Sequence, residues 1–126
     1  IFMQRQEAQN FFRRVFEQCR RGLRFYNNPL YRDFLQGKRH YQCSQWTTPT
    51  YTVMGWRKPC YLIADGHAAT YQELMTTVQW DRYGWGKDPR CDTCMMHCGF
   101  EGSAILQAME RPKEMLELAL RSMRGD

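Results

Sequence analysis

Five cysteines of this 126-residue chain fall in a graded run: Cys43, Gly55 and Cys60 read C-x11-G-x4-C, a 30-residue gap follows, and Cys91, Cys94 and Cys98 read C-x2-C-x3-C. A C-x2-C pair lets one short turn aim two thiolates at one ion or one cluster corner, and the remaining ligands then arrive from a distant segment. Cys43 and Cys60 form the distant pair. The chemistry is that of a thiolate site for zinc or for an iron-sulfur cluster, and spacing alone leaves those two even. His40, His67 and His97 are available as substitute zinc ligands. Disulfides are the third reading of the same residues. The C-x2-C spacing, the absence of a signal peptide and the placement of Cys19 on a helical stretch favour metal over disulfides.

The elements around these residues must position them. Residues 51–56 and 60–63 are rich in the β-branched and aromatic types that favour strands, with a turn over 55–59 between them. Such a hairpin brings Cys60 near Cys43. Thr70 and Glu73 have capping-box spacing and start a helix through residue 78. Residues 80–89, punctuated by Gly84, Gly86 and Pro89, are loop and lead into the cysteine knuckle. Helices are expected over 99–109 and 112–123, the second with Met115, Leu116, Leu118, Ala119 and Met123 on one side and Pro112 in its first turn.

Upstream, residues 7–21 place Phe11, Phe12, Val15, Phe16 and Cys19 at helical spacing, and Gly22 ends the helix. A short strand over 23–26, an Asn27-Asn28-Pro29 turn and a helix to residue 35, stopped by Gly37, complete a helix-strand-helix order. The expected fold class is α+β: the last helix-strand-helix portion of a partial α/β barrel over residues 1–40, then a small β-hairpin plus helices forming a cysteine-rich domain over 41–126.

Composition narrows the function classes. The length suffices for one modest core. Mean hydropathy of −0.70 and the lack of a long apolar run exclude a transmembrane helix. The net charge of +5 raises nucleic acid as a partner, yet no nucleic-acid motif accompanies Arg13, Arg14, Arg20, Arg21 and Arg24, so a solvated helix face is the simpler reading. Anionic lipid head groups are a second partner for such a patch. The first residue, Ile1, is not an initiating methionine, so the chain is expected to begin inside a longer protein. Cys19 reads as a buried structural thiol, His97 as a ligand or a hydrogen-bond donor to sulfur, Met95 and Met96 as packing around the metal, and Glu73 as a cap. Asp65, His67 and Glu101 form an acid-base set only if folding converges them.

The C-x11-G-x4-C element followed by a distant C-x2-C resembles the auxiliary-cluster region, of the SPASM or twitch type, of radical S-adenosylmethionine enzymes. The strings Lys58-Pro-Cys-Tyr-Leu62, Tyr71-Gln-Glu-Leu-Met75, Trp80-Asp-Arg-Tyr-Gly84 and Cys91-Asp-Thr-Cys-Met-Met-His-Cys-Gly-Phe-Glu101, with Phe34-Leu-Gln-Gly37 and Tyr41-Gln-Cys43, resemble the C-terminal third of the hopanoid-biosynthesis members, the adenosylhopane-forming family. The resemblance implies an auxiliary [4Fe-4S] cluster on Cys43, Cys60, Cys91 and Cys94, with Cys98 a fifth candidate for four places.

It also implies a barrel upstream that carries S-adenosylmethionine and a second [4Fe-4S] cluster, and transfer of the 5′-deoxyadenosyl group to the triterpene diploptene. The implied partners are a triterpene lipid and an electron donor such as flavodoxin or ferredoxin, in the cytoplasm or at the inner membrane surface, with no nucleic acid. The C-x3-C-x2-C motif that cleaves S-adenosylmethionine is absent from this chain, so it is expected to be inactive alone. Four tryptophans, Trp46, Trp56, Trp80 and Trp85, are expected to shield the cluster from water or to line a pocket for a polycyclic hydrocarbon. The alternative from another class is a zinc-knuckle interaction module without catalytic activity.

Overall fold

The computed structural model describes residues 3–18 and 25–124. Among them are five helices and a small three-stranded antiparallel sheet, an α+β arrangement. The helices are α1 (Arg5–Gln18), α2 (Pro29–Leu35), α3 (Tyr71–Thr77), α4 (His97–Glu110) and α5 (Pro112–Arg124). The strands are β1 (Tyr51–Thr52), β2 (Gly55–Lys58) and β3 (Gly66–Ala68), in that spatial order. No helix among the described residues is long and apolar enough to cross a membrane.

The core forms where α2 lies against α4. Pro29 opens α2 with no amide to waste, and the Asn28 side chain caps it by accepting from the Tyr31 amide at 2.8 Å. Leu30, Tyr31, Phe34 and Leu35 are all buried. Phe34 stacks on Phe100 of α4 with ring centroids 4.4 Å apart. Ala104 and Ala108, one helical turn apart, are fully buried on the same side of α4, and their small side chains let the other elements approach. Phe12 and Phe16 of α1 pack on this cluster, whereas Phe11 is exposed. Helix α5 joins through Leu118 and through Arg121, whose guanidinium binds the buried carboxylate of Asp33 at 2.6 Å beside Arg39.

The hairpin departs from expectation. Residues 51–56 do not run as one strand: the Thr52 hydroxyl accepts from the Met54 amide and donates to the Gly55 carbonyl, so the chain reverses at the exposed Val53 and Met54. Gly55 then opens β2 at φ +113°, where an added Cβ would lie 2.5 Å from the Ala68 carbonyl oxygen. Residues 60–63 are not strand either. They form a loop closed by the Asp65 amide donating to the Lys58 carbonyl at 2.9 Å, and β2 pairs instead with β3. Of the strand expected over 23–26, the first half lies outside the described residues, and Phe25 and Tyr26 are not strand. Cys19, Gly22 and the C-terminal end of the helix expected over 7–21 also lie outside them.

Candidate metal centre

Cys43 reaches the site from the segment between α2 and the sheet, and polar side chains stitch that segment to the start of α4. The Ser44 amide and hydroxyl both donate to the Gly99 carbonyl, at 3.0 and 3.2 Å. Ser44 and Ser103 hydroxyls meet at 2.7 Å, and the Thr48 hydroxyl donates to the Cys98 carbonyl. Close approach here requires glycine: a Cβ on Gly99 would lie 2.3 Å from the Cys43 sulfur.

Cys60 sits in the loop between β2 and β3, its sulfur accepting from the Ile63 amide at 3.4 Å. Cys91 ends a short 3-10 turn over Pro89–Cys91, capped by Asp88. The Cys94 amide donates to the Cys91 carbonyl at 3.1 Å and closes the C-x2-C turn. Cys98 lies in the first turn of α4. The knuckle is gripped from outside: the buried Tyr31 hydroxyl donates to the Met95 carbonyl at 2.8 Å, and Arg5 donates to the carbonyls of Cys94 at 2.7 Å and Asp92 at 3.3 Å.

Among the described residues all five free thiols face one cavity, whose wall also includes Pro59, Leu62, Ile63, Tyr83 and Phe100 with Gln45 and Arg90. Its volume is about 30 Å³, on a scale where one water takes about 10–15 Å³. That is space for about two to three waters, bordered directly by the thiols. A nucleoside or a triterpene does not fit there. Among the described residues no three His, Cys, Asp or Glu side chains converge as the ligands of a single ion.

Burial pushes the Cys43 thiol up to about 12, reinforced by the other four cysteines around it. Cys98 is raised to about 11, again by burial first and then by Cys94 and Cys60. Cys91 and Cys94 are raised for the same leading reason, each opposed by one backbone amide, from Gly84 and Met96 respectively, directed at its sulfur. Thiols that resist ionisation in one another's company become thiolates when a cation compensates their charge, so this donor set fits a polycationic metal core.

Other expected roles fall elsewhere. None of Trp46, Trp56, Trp80 and Trp85 is among the cavity's wall residues: Trp46 packs edge-on to Trp80, Trp56 lies between Tyr51 and Tyr71, and Trp85 is exposed. The cavity is lined instead by Phe100 and the loop residues Pro59, Leu62 and Ile63, while Trp46, Trp56 and Trp80 pack on the sheet and its flanking turns. His97 is exposed and is not among the wall residues. Met95 is buried in the core, while Met96 is exposed.

Glu73 caps α3 through the Ala69 amide, and Thr70 accepts from the Glu73 amide, as the spacing implied. Asp65 binds Arg90, His67 sits opposite Arg57 in the sheet and Glu101 accepts from Asn27 and Asn28, so each member of the conjectured acid-base set has its own structural partner. Sequence reasoning missed Arg5, Arg90, Ser44 and Ser103. Only their folded neighbours mark them out, since isolated Arg and Ser residues carry no spacing signal.

A family profile for a domain of unknown function, DUF3463, matches residues 1–118. No curated protein and no solved structure matches the chain.

Proposed function

Since the chain belongs to the family defined by the domain of unknown function DUF3463, we propose that it is the auxiliary-cluster portion of a radical S-adenosylmethionine enzyme, its cysteines supplying the thiolates of a [4Fe-4S] cluster. The family's association with radical S-adenosylmethionine and SPASM-like proteins supports the class. The observation that carries the reading is the meeting of Cys43, Cys60, Cys91, Cys94 and Cys98, from three separate segments, around one compact cavity. Cysteine spacing alone leaves zinc and an iron-sulfur cluster even, and the strings that flank the cysteines favour the cluster. Such a group supplies electron transfer or a structural anchor. The chain's residues contribute by holding four thiolates, covering the cavity with the buried Phe100 and Ile63, and leaving one cysteine over.

At finer grain, the strings around Cys60 and Cys91 support the hopanoid branch, with adenosyl transfer to diploptene performed by a longer enzyme using a flavodoxin- or ferredoxin-type donor at the cytoplasmic side of the membrane. The triterpene must then bind outside the cysteine cavity.

The test is iron, sulfide and zinc content per chain after anaerobic purification, with Cys→Ala changes at all five positions. About four irons and four sulfides are expected, and the variant that keeps its iron names the spare cysteine. One zinc without sulfide after reconstitution overturns the reading in favour of a zinc knuckle without catalytic activity.

A further inference from the structure

We propose that Arg5 is the fixed counter-charge of this site, raising the reduction potential of the group the cysteines hold. The inference rests on the cluster reading above and concerns a residue about ninety positions away from the knuckle it contacts. Three observations converge on it.

First, Arg5 spends its hydrogen bonds inside the C-x2-C turn, on the carbonyls of Cys94 and Asp92. Its position relative to the Cys94 thiolate is therefore set by the turn itself. Second, its guanidinium lies 4.9 Å from the Trp85 ring centroid, 5.5 Å from Phe100 and 5.9 Å from Phe34. Rings on these sides cover part of the half-buried guanidinium and attract its charge. Phe100 also walls the cysteine cavity, so the cation and the cavity share a side chain.

Third, among the described residues no carboxylate lies within ion-pair distance of Arg5, unlike Arg39, Arg90, Arg111 and Arg121, each of which has one. The anion that Arg5 is placed to neutralise is the thiolate set. Reduction of a thiolate-bound cluster takes one electron from an external donor, makes and breaks no bond, and adds one negative charge. A nearby cation favours that state.

The experiment is a redox titration of the reconstituted full chain with dithionite, followed by the electron paramagnetic resonance of the reduced cluster. Arg5→Gln keeps a donor for the carbonyls and removes the charge; Arg5→Lys keeps the charge. The Gln variant should retain its iron and show a reduced-to-oxidised ratio at least tenfold lower at the parent's midpoint, a fall of about 59 mV for one electron, while the Lys variant stays near the parent. An unshifted potential in an iron-loaded Gln variant overturns the proposal. Should Arg5→Gln hold no iron, Trp85→Leu decides: opening the guanidinium to water should shift the potential the same way by less, and no shift overturns the proposal. A parent chain that takes up no iron and sulfide fails the cluster reading itself, a result distinct from either.

Discussion

Arg90 grips Asp65 with two parallel hydrogen bonds, Nη1 to Oδ1 at 2.6 Å and Nη2 to Oδ2 at 3.1 Å, and turns its Nε to Asp88 at 3.0 Å. The fork joins two loops that share no secondary structure. Asp65 closes the loop that carries Cys60, and Asp88 caps the turn that ends at Cys91. Arg90→Gln should therefore leave the helical content unchanged and let the two loops separate. Iron release to a chelator is expected to quicken several-fold, measured against the unchanged far-ultraviolet dichroism; an unchanged release rate would refute the clamp.

The same fork predicts a pH dependence. Hydrogen bonds from Arg90 hold the Asp65 and Asp88 carboxyls below the usual carboxylate range. A carboxyl whose folded value is depressed stabilises the fold above its unfolded value of about 3.9 and loses that contribution as pH falls through the lowered folded value. The difference in melting temperature between the metal-free parent and Arg90→Gln should be steady from pH 8 to about 5 and close below about pH 4. Arg90 and Asp65 face solvent, so high salt should shrink the difference as well.

Gly99 tests packing against propensity. Alanine inside a helix ordinarily gains up to about 1 kcal/mol over glycine, and less in the first turn, where Gly99 lies. Here the new Cβ would lie 2.3 Å from the Cys43 sulfur, and overpacking of a filled site costs about 1–3 kcal/mol. The steric effect should win: Gly99→Ala is expected to melt earlier and to bind less iron, because Cys43 is the atom displaced. A variant that is more stable and fully loaded would mean that the Cys43 segment is free to move.

The elements that position the site were legible where the signal is local. Pro29 opening a helix, the Thr70 to Glu73 cap and Pro112 at the start of α5 each act within one turn of chain, and each lies where its spacing implied. The hairpin was misread because Tyr51, Thr52, Val53 and Trp56 carry strand propensity on both sides of a reversal that depends on one threonine hydroxyl and on Gly55 approaching Ala68. The five cysteines announced themselves by spacing, and the structure brings them to one cavity. The atoms that hold them there come from α1, α2 and the middle of α4, at separations no short motif spans.

Ser103 carries the last prediction. Its hydroxyl lies within hydrogen-bond distance of the Gly99 and Gln42 carbonyls and of Ser44, whose own hydroxyl also reaches Gly99. Both serines are buried, so no water replaces a lost partner. Ser103→Ala leaves the Gln42 carbonyl and the Ser44 hydroxyl each a partner short, which should cost about 1–3 kcal/mol. Ser44→Ala should cost less, because the Ser44 amide still binds Gly99. Replacing both with alanine removes the unmet hydroxyl along with its partner, and the double variant should be more stable than the sum of the singles implies. Melting of the four chains gives this coupling directly. Additive losses would mean the two hydroxyls do not act together. Iron content should follow the same order, since Gln42 and Ser44 flank Cys43 and the network fixes where its sulfur points.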